Sequence, residues 1–129
     1  EQYTIALATA KPEHYAKDIL DHFELTPYFD VIVGANYESG LLHKKAILEK
    51  ALELCGNPLT DENGNRMVFM VGDRKYDVEA ANELGCISIG VTYGYGTEAE
   101  LKEADAEYLC DDVDEIADVL DLEALMVRR

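Results

Sequence analysis

The stretch Met67-Val68-Phe69-Met70-Val71-Gly72-Asp73-Arg74-Lys75-Tyr76-Asp77 decides how this chain is read. Five consecutive apolar residues, bounded by a polar loop before and Gly-Asp after, have the length and continuity of a strand buried on both faces, as in parallel sheets. Gly72-Asp73 ends that strand. Val78, Ala81 and Leu84 then recur at helical spacing as far as Gly85. The local unit is strand, tight turn, helix.

Working outward, the same alternation continues. Upstream, Tyr3–Ala8 reads as a first strand, followed by Thr9-Ala10-Lys11 and by Pro12 in the first turn of a helix. That helix carries Tyr15, Ile19, Leu20 and Phe23 as its apolar face. Phe29–Gly34 is a second strand, and a polar loop runs from Ala35 to Gly40. Ile47, Leu48, Ala51, Leu52 and Cys55 then mark a periodic helix, stopped by Gly56-Asn57-Pro58. Thr60 to Arg66 is a polar loop without periodicity. Downstream lie a strand over Cys86–Val91, a Gly94-Tyr95-Gly96 loop and a short helix near Thr97–Glu103. A short fifth strand at Tyr108–Cys110 and a terminal amphipathic helix marked by Val113, Ile116, Ala117 and Leu120 complete the pattern. Strand–helix alternation with short connections predicts an α/β fold: a Rossmann-like, three-layer arrangement with a mostly parallel sheet, in one domain over residues 1–129. In such sheets ligands gather where loops leave the carboxyl ends of strands, so functional residues are sought just after each strand.

Composition narrows the partners. Of 129 residues, 11 are Lys or Arg and 27 are Asp or Glu, a formal net charge of −16. Nucleic acid and anionic membrane surfaces need a basic footprint, which this balance opposes. At 48% hydrophobic, the chain can build a core and is unlike a disordered acidic tail. No apolar run reaches the roughly 18 residues of a membrane span, and no basic-then-apolar signal opens the sequence. Cys55, Cys86 and Cys110 are odd in number and lack CxxC spacing, against a disulfide framework or a thiolate zinc site. A cytoplasmic setting is expected. The chain starts at Glu1 without Met and enters a strand at once, so it reads as entered in mid-fold.

Three groups of residues follow strand candidates. Asp73 and Asp77 place two carboxylates four residues apart at one strand end. Hard oxygen donors of this kind suit Mg²⁺, which takes one or two carboxylates and completes its shell with water and substrate phosphate. The plainer alternative makes Asp73 a turn residue and Asp77 a first-turn acid favoured by the helix dipole. Thr9 can offer its hydroxyl and neighbouring amides to a phosphoryl oxygen, or serve as a helix N-cap. Gly94 and Gly96 are turn residues or points of close backbone approach to a ligand. Lys44, near the start of a helix, can supply positive charge to a phosphate or be simply solvated. His14, His22 and His43 lack metal-site spacing, no Ser lies in a nucleophile elbow, and Cys55 and Cys86 fall on apolar faces.

Taken in order, these pieces resemble the haloacid dehalogenase-type hydrolases, in particular their phosphoglycolate phosphatase-like branch, from Ile5 to about Leu120. Ile5-Ala6-Leu7-Ala8-Thr9-Ala10-Lys11-Pro12 resembles the family's second motif, His43-Lys44-Lys45 the third, and Val68 to Asp77 the fourth. Gly90-Val91-Thr92-Tyr93-Gly94-Tyr95-Gly96 resembles the loop found there in phosphoglycolate phosphatases. The resemblance implies that Thr9, with Ala10, and Lys44 hold the phosphoryl group, with Lys45 as fallback. It implies that Asp73 binds Mg²⁺, Asp77 supports the metal shell and Gly94 lies against substrate, a small phosphorylated metabolite. Ala10, where relatives often carry Ser or Asn, is a lesser departure.

The family's first motif is Asp-x-Asp, nucleophile then general acid/base, at the end of an earlier strand. No segment here supplies it: Thr4–Ala10 holds no Asp, and Asp111-Asp112 lies at the wrong end. The resemblance therefore implies the carboxyl-terminal part of a hydrolase core, incomplete at its N-terminus and lacking the cap. An isolated chain of that kind is expected to be inactive, since the family's hydrolysis passes through an aspartyl-phosphate. Loss of the preceding strand also leaves a sheet edge that favours self-association. A different class of reading is a non-enzymatic regulatory or interaction module that keeps a vestigial divalent-cation site. A receiver-like domain belongs to that class, although the acidic pair such a domain needs before Gly72-Asp73 is missing. The phosphatase reading requires Thr9, Lys44, Asp73 and Asp77 to serve one pocket.

Overall fold

Alternating apolar runs fold into alternating elements, and the computed structural model describes them over residues 4–56 and 59–127. The order is β1 (Ala6–Pro12), α1 (Glu13–His22), β2 (Val31–Ala35), α2 (Lys44–Leu54), β3 (Phe69–Gly72), α3 (Lys75–Leu84), β4 (Ile87–Val91), α4 (Glu98–Glu103), β5 (Tyr108–Cys110) and α5 (Val113–Val127). A 3-10 turn, Thr26–Tyr28, lies between α1 and β2. Each pairing between the described strands is parallel, as the α/β reading requires. The described strands make two sheets, β1-β2 and β3-β4-β5. They fall in two compact units, Glu1–Asn57 and Pro58–Arg129. Of the residues assigned to structure from sequence, Tyr3, Asn57 and Pro58 lie outside the described residues.

In the first unit, Ala8 pairs with Val33 and Pro12 with Ala35. Thr9-Ala10-Lys11 therefore stand opposite Gly34 alone, and β1 bulges at its carboxyl end. The first strand was expected to end at Ala8; it runs on to Pro12 because the bulge re-enters the pairing. Side chains alternate across a strand. Val33 and Ala35 pack in one cluster with Ile47 and Ala51 of α2. Gly34, pointing the other way, faces the backbone of Glu13 in α1. The two-stranded ribbon thus carries one helix on each face.

The buried face of α1 differs from the expected one. Ala16 and Leu20 are buried, whereas Tyr15, Ile19 and Phe23 are exposed, Phe23 to 65%. Gly34 lets α1 approach the ribbon backbone-to-backbone at Glu13, and a helix that close at its start has room for Ala16 one turn on. Of the expected stripe Leu20 is buried as expected, and Ala16 takes the place of its other three members.

In the second unit β4 is the central strand, with Ile87, Ser88 and Ile89 fully buried. Ile89, Val91 and Cys110 form one face with Phe69, Tyr108, and Ile116 and Val119 of α5. The opposite face carries Gly90 against Leu101 of α4, and Ser88, whose hydroxyl donates to Asn82 Oδ1 of α3 at 2.9 Å. The Ser88 oxygen also accepts the Glu107 amide, so this buried polar group is satisfied. The expectation that residues 67–71 are buried on both faces is corrected. The strand begins only at Phe69, and Val71 is 43% exposed. An apolar run signals burial but not place in a sheet, and β3 is an edge strand of this one.

The α1 correction predicts the response to truncation. Leu20→Ala should cost about 2–4 kcal/mol of unfolding free energy, and Phe23→Ala under about 1 kcal/mol. Urea denaturation of the two variants checks this, and the reverse order would contradict the placement of α1.

Candidate functional site

The carboxyl end of β3 presents both carboxylates of the decisive stretch. Asp73 follows the strand directly, and its Oδ2 accepts the Tyr95 amide at 2.9 Å. The loop after β4 therefore lies against the loop after β3. Gly94 is what permits this, since a Cβ there would overlap the Asp73 side chain. Asp77 is 7% exposed and sits in the first turn of α3, where its Oδ2 accepts the Arg74 amide at 3.4 Å. A Cβ on Gly72 would collide with the Asp77 carboxylate, so the strand must end in glycine for that side chain to fold back. The first-turn role expected of Asp77 as the plainer alternative is thus present. Asp73 does more than turn the chain, because its partner is 22 residues away.

Between the two aspartates lie Arg74 and Lys75, both held by one acid. Glu100 Oε2 accepts Arg74 Nε at 2.9 Å and the Lys75 amide at 2.7 Å. Those two hydrogen bonds hold the Glu100 carboxyl below the usual carboxylate range, and the same pairing raises the Arg74 guanidinium. A depressed carboxyl keeps its charge as pH falls until its own lowered pKa is reached, so this pairing persists through mildly acidic conditions. Arg74 and Lys75 each approach the Tyr76 ring at 5.4 Å from its centroid.

In the first unit, Thr9 and Ala10 occupy the β1 bulge. Thr9 Oγ1 accepts the Lys11 amide at 3.2 Å, which satisfies a donor that the bulge removes from the pairing. Thr9 is not a helix N-cap: the cap of α1 is Pro12, with no side-chain bond. Lys44 is the first residue of α2, half-buried, and its Nζ donates to the Ala8 carbonyl at 3.0 Å. Lys45 beside it is exposed. The structure thus brings Lys44 to the carboxyl end of β1, next to Thr9 and Ala10, and separately assembles Asp73, Asp77 and Gly94 at the end of β3. Asp111 and Asp112 serve the start of α5: Asp112 Oδ1 accepts the Glu115 amide at 2.9 Å, and the Asp111 amide donates to Glu115 Oε1. Cys86 is buried, and desolvation pushes its thiol up to about 11, which leaves it a poor nucleophile.

The donors suit one class of ion. Among the described residues no group of three or more His, Cys, Asp or Glu forms a cage. A pair of aspartates at a strand end suits Mg²⁺, which needs few protein ligands, better than Zn²⁺ or Ca²⁺, which need more. Two contributors escaped the sequence reading, the Tyr95 amide and Glu100. A backbone donor leaves no trace in residue type. Glu100 did leave one: Thr97 and Glu100 have capping-box spacing, and the Glu100 amide donates to Thr97 Oγ1 at 3.0 Å. Only coordinates reveal that its carboxylate leaves its own helix for Arg74.

The glycine contacts can be tested by adding a methyl group. Gly72→Ala and Gly94→Ala should each destabilise the chain by about 1–3 kcal/mol through overpacking against an aspartate. Denaturant midpoints measure this; neutral substitutions would mean that the aspartates do not sit against these glycines.

Comparison with known proteins gives the family. Residues 43–116, more than half of the chain, match the HAD-hydrolase-like family. A 5'-nucleotidase of Pseudomonas aeruginosa is 32% identical over 92% of this chain and 51% of its own length. A phosphoglycolate phosphatase of Vibrio cholerae is 29% identical over 92% of this chain and 50% of its own. The chain spans about half the length of the curated relatives it matches. Among solved structures, one described as a predicted phosphatase from Clostridium acetobutylicum superposes with a TM-score of 0.81 at 38% identity, covering 92% of this chain and 53% of that one. With its parallel strands, its Gly-Asp strand end and this family match, the chain belongs to the haloacid dehalogenase-like (HAD) hydrolases.

Proposed function

We propose that this chain is the carboxyl-terminal part of a Mg²⁺-dependent phosphatase that hydrolyses a phosphomonoester of a small metabolite. The observation that carries the reading is the aspartate pair at the end of β3, held by backbone amides in a chain of HAD type. Asp73 and Asp77 would hold the ion, which when bound neutralises phosphate charge and orients the ester. Thr9 donates its hydroxyl, and Ala10 its amide, to phosphoryl oxygens. Lys44, already anchored on the Ala8 carbonyl, adds a positive charge. That charge matters because the chain as a whole, at −16, repels phosphate.

The relatives named 5'-nucleotidase and phosphoglycolate phosphatase support a small phosphorylated substrate, with phosphoglycolate a leading candidate. Free thiols at Cys55, Cys86 and Cys110 suit a cytoplasmic setting. Among the described strands only β5 is followed by an Asp-x-Asp, Asp112-Val113-Asp114, and there Asp112 accepts the Glu115 amide at the start of α5, so the 129-residue chain alone is expected to bind and not to turn over.

Phosphate release from an aryl phosphate tests the reading. A longer protein containing this sequence after an Asp-x-Asp strand should be active with Mg²⁺ and silent with chelator, and the 129-residue chain should be inactive under both conditions. In the active protein Asp73→Asn should abolish turnover, and Lys44→Ala should lower kcat by roughly 10²–10³-fold. Full activity of Asp73→Asn would overturn the metal assignment. Metal binding without turnover in the longer protein would favour the non-enzymatic module.

A further inference from the structure

We propose that Glu100 is the positioning residue of the aspartate pair: by holding Arg74 and Lys75, it sets the loop on which Asp73 and Asp77 are mounted. The amide of Lys75, the first residue of α3, has no acceptor within its own helix. The residue before it is Arg74, whose side chain carries donors only. Even a Ser, Thr, Asp or Asn at the cap serves the second or third amide of a helix, so the first needs an acceptor from elsewhere. Here the acceptor comes from another helix, as Glu100 Oε2 takes the Lys75 amide and Arg74 Nε together.

Glu100 is itself held in place. Its amide donates to Thr97 Oγ1, so the N-terminus of α4 is capped and the side chain has a defined origin. Gly96, just before Thr97, lies against the Asp73 carbonyl, and its Cβ position is 3.3 Å from Glu100 Oε2. The segment after β4, loop and α4 together, therefore ties to the segment after β3 by hydrogen bonds from the Tyr95 amide to the Asp73 carboxylate and from Arg74 and Lys75 to Glu100. Asp73 flanks this tie on one side and Asp77 follows it on the other. Groups that orient metal ligands without touching the metal commonly change metal affinity by about 10–100-fold when removed. The affinity part of this proposal rests on Asp73 and Asp77 being Mg²⁺ ligands; the ordering part does not.

The experiment uses the 129-residue chain and two readouts: amide hydrogen exchange by NMR, and Mn²⁺ binding by EPR as a probe of the divalent site. Glu100→Ala should speed exchange at Lys75, which loses its acceptor, and also at Tyr95, which Glu100 does not touch, each by roughly 10-fold or more, and weaken Mn²⁺ binding by about 10-fold or more. Glu100→Gln, which keeps an acceptor oxygen but not the charge, should give smaller changes in the same direction and serves if the alanine variant fails to fold. Glu98→Ala, which removes only an ion pair with Lys102 on the same helix, should change neither readout. Faster exchange confined to Lys75 would reduce Glu100 to a local cap and overturn the proposal, as would unchanged Mn²⁺ affinity in Glu100→Ala. A wild-type chain that takes up no Mn²⁺ overturns the ligand assignment and with it the affinity part, while the exchange comparison still decides the ordering part.

Discussion

The second unit depends on the register of β3 against β4. Phe69 stands opposite Ile87 and Gly72 opposite Gly90, so the two strands leave the sheet at nearly the same level. Their following loops are therefore neighbours, and the Asp73 carboxylate can accept an amide from residue 95. In a sheet with period-two side chains, a slip of one residue would turn Asp73 toward the other face. The isoleucines of β4, buried to completion, make that slip expensive. The strength of the hydrophobic register is thus what keeps a polar site in place.

The cost of the site falls on the backbone. Glycine at 72 and 94 gives up side-chain packing so that two carboxylates can press against main chain. In return each carboxylate finds a backbone amide donor. In the first unit a different device is used. Three residues bulge from β1 opposite one of β2, and Lys44 is drawn to the last regular carbonyl before the bulge. Bulges redirect side chains at the ends of strands, and here the redirected residues are Thr9 and Ala10.

Much of this was legible in the linear pattern. Strand–helix alternation placed all five strands and the parallel class, because hydrophobic period and turn residues report local conformation directly. Thr97 as a helix start was equally plain, since a capping residue acts within its own turn. The stripe of α1 was so only in part. Leu20 is buried as its spacing predicts, but Tyr15, Ile19 and Phe23, equally well spaced, are exposed while Ala16 is buried. The edge position of β3 was hidden for a similar reason, as an apolar run says nothing about how many neighbours it has.

The sequence by itself determined the class of fold, the family, and which residue types stand at each strand end: a hydroxyl, a lysine and two carboxylates. These are properties of short windows and of motif order, so one dimension suffices to see them. Only the tertiary structure decided which of two adjacent lysines reaches the end of β1, that Gly94 backs onto Asp73, and that Glu100 crosses from α4 to hold Arg74 and Lys75. Each of these depends on contacts between segments distant along the chain. Such contacts are set by strand register and side-chain packing, which no local spacing encodes.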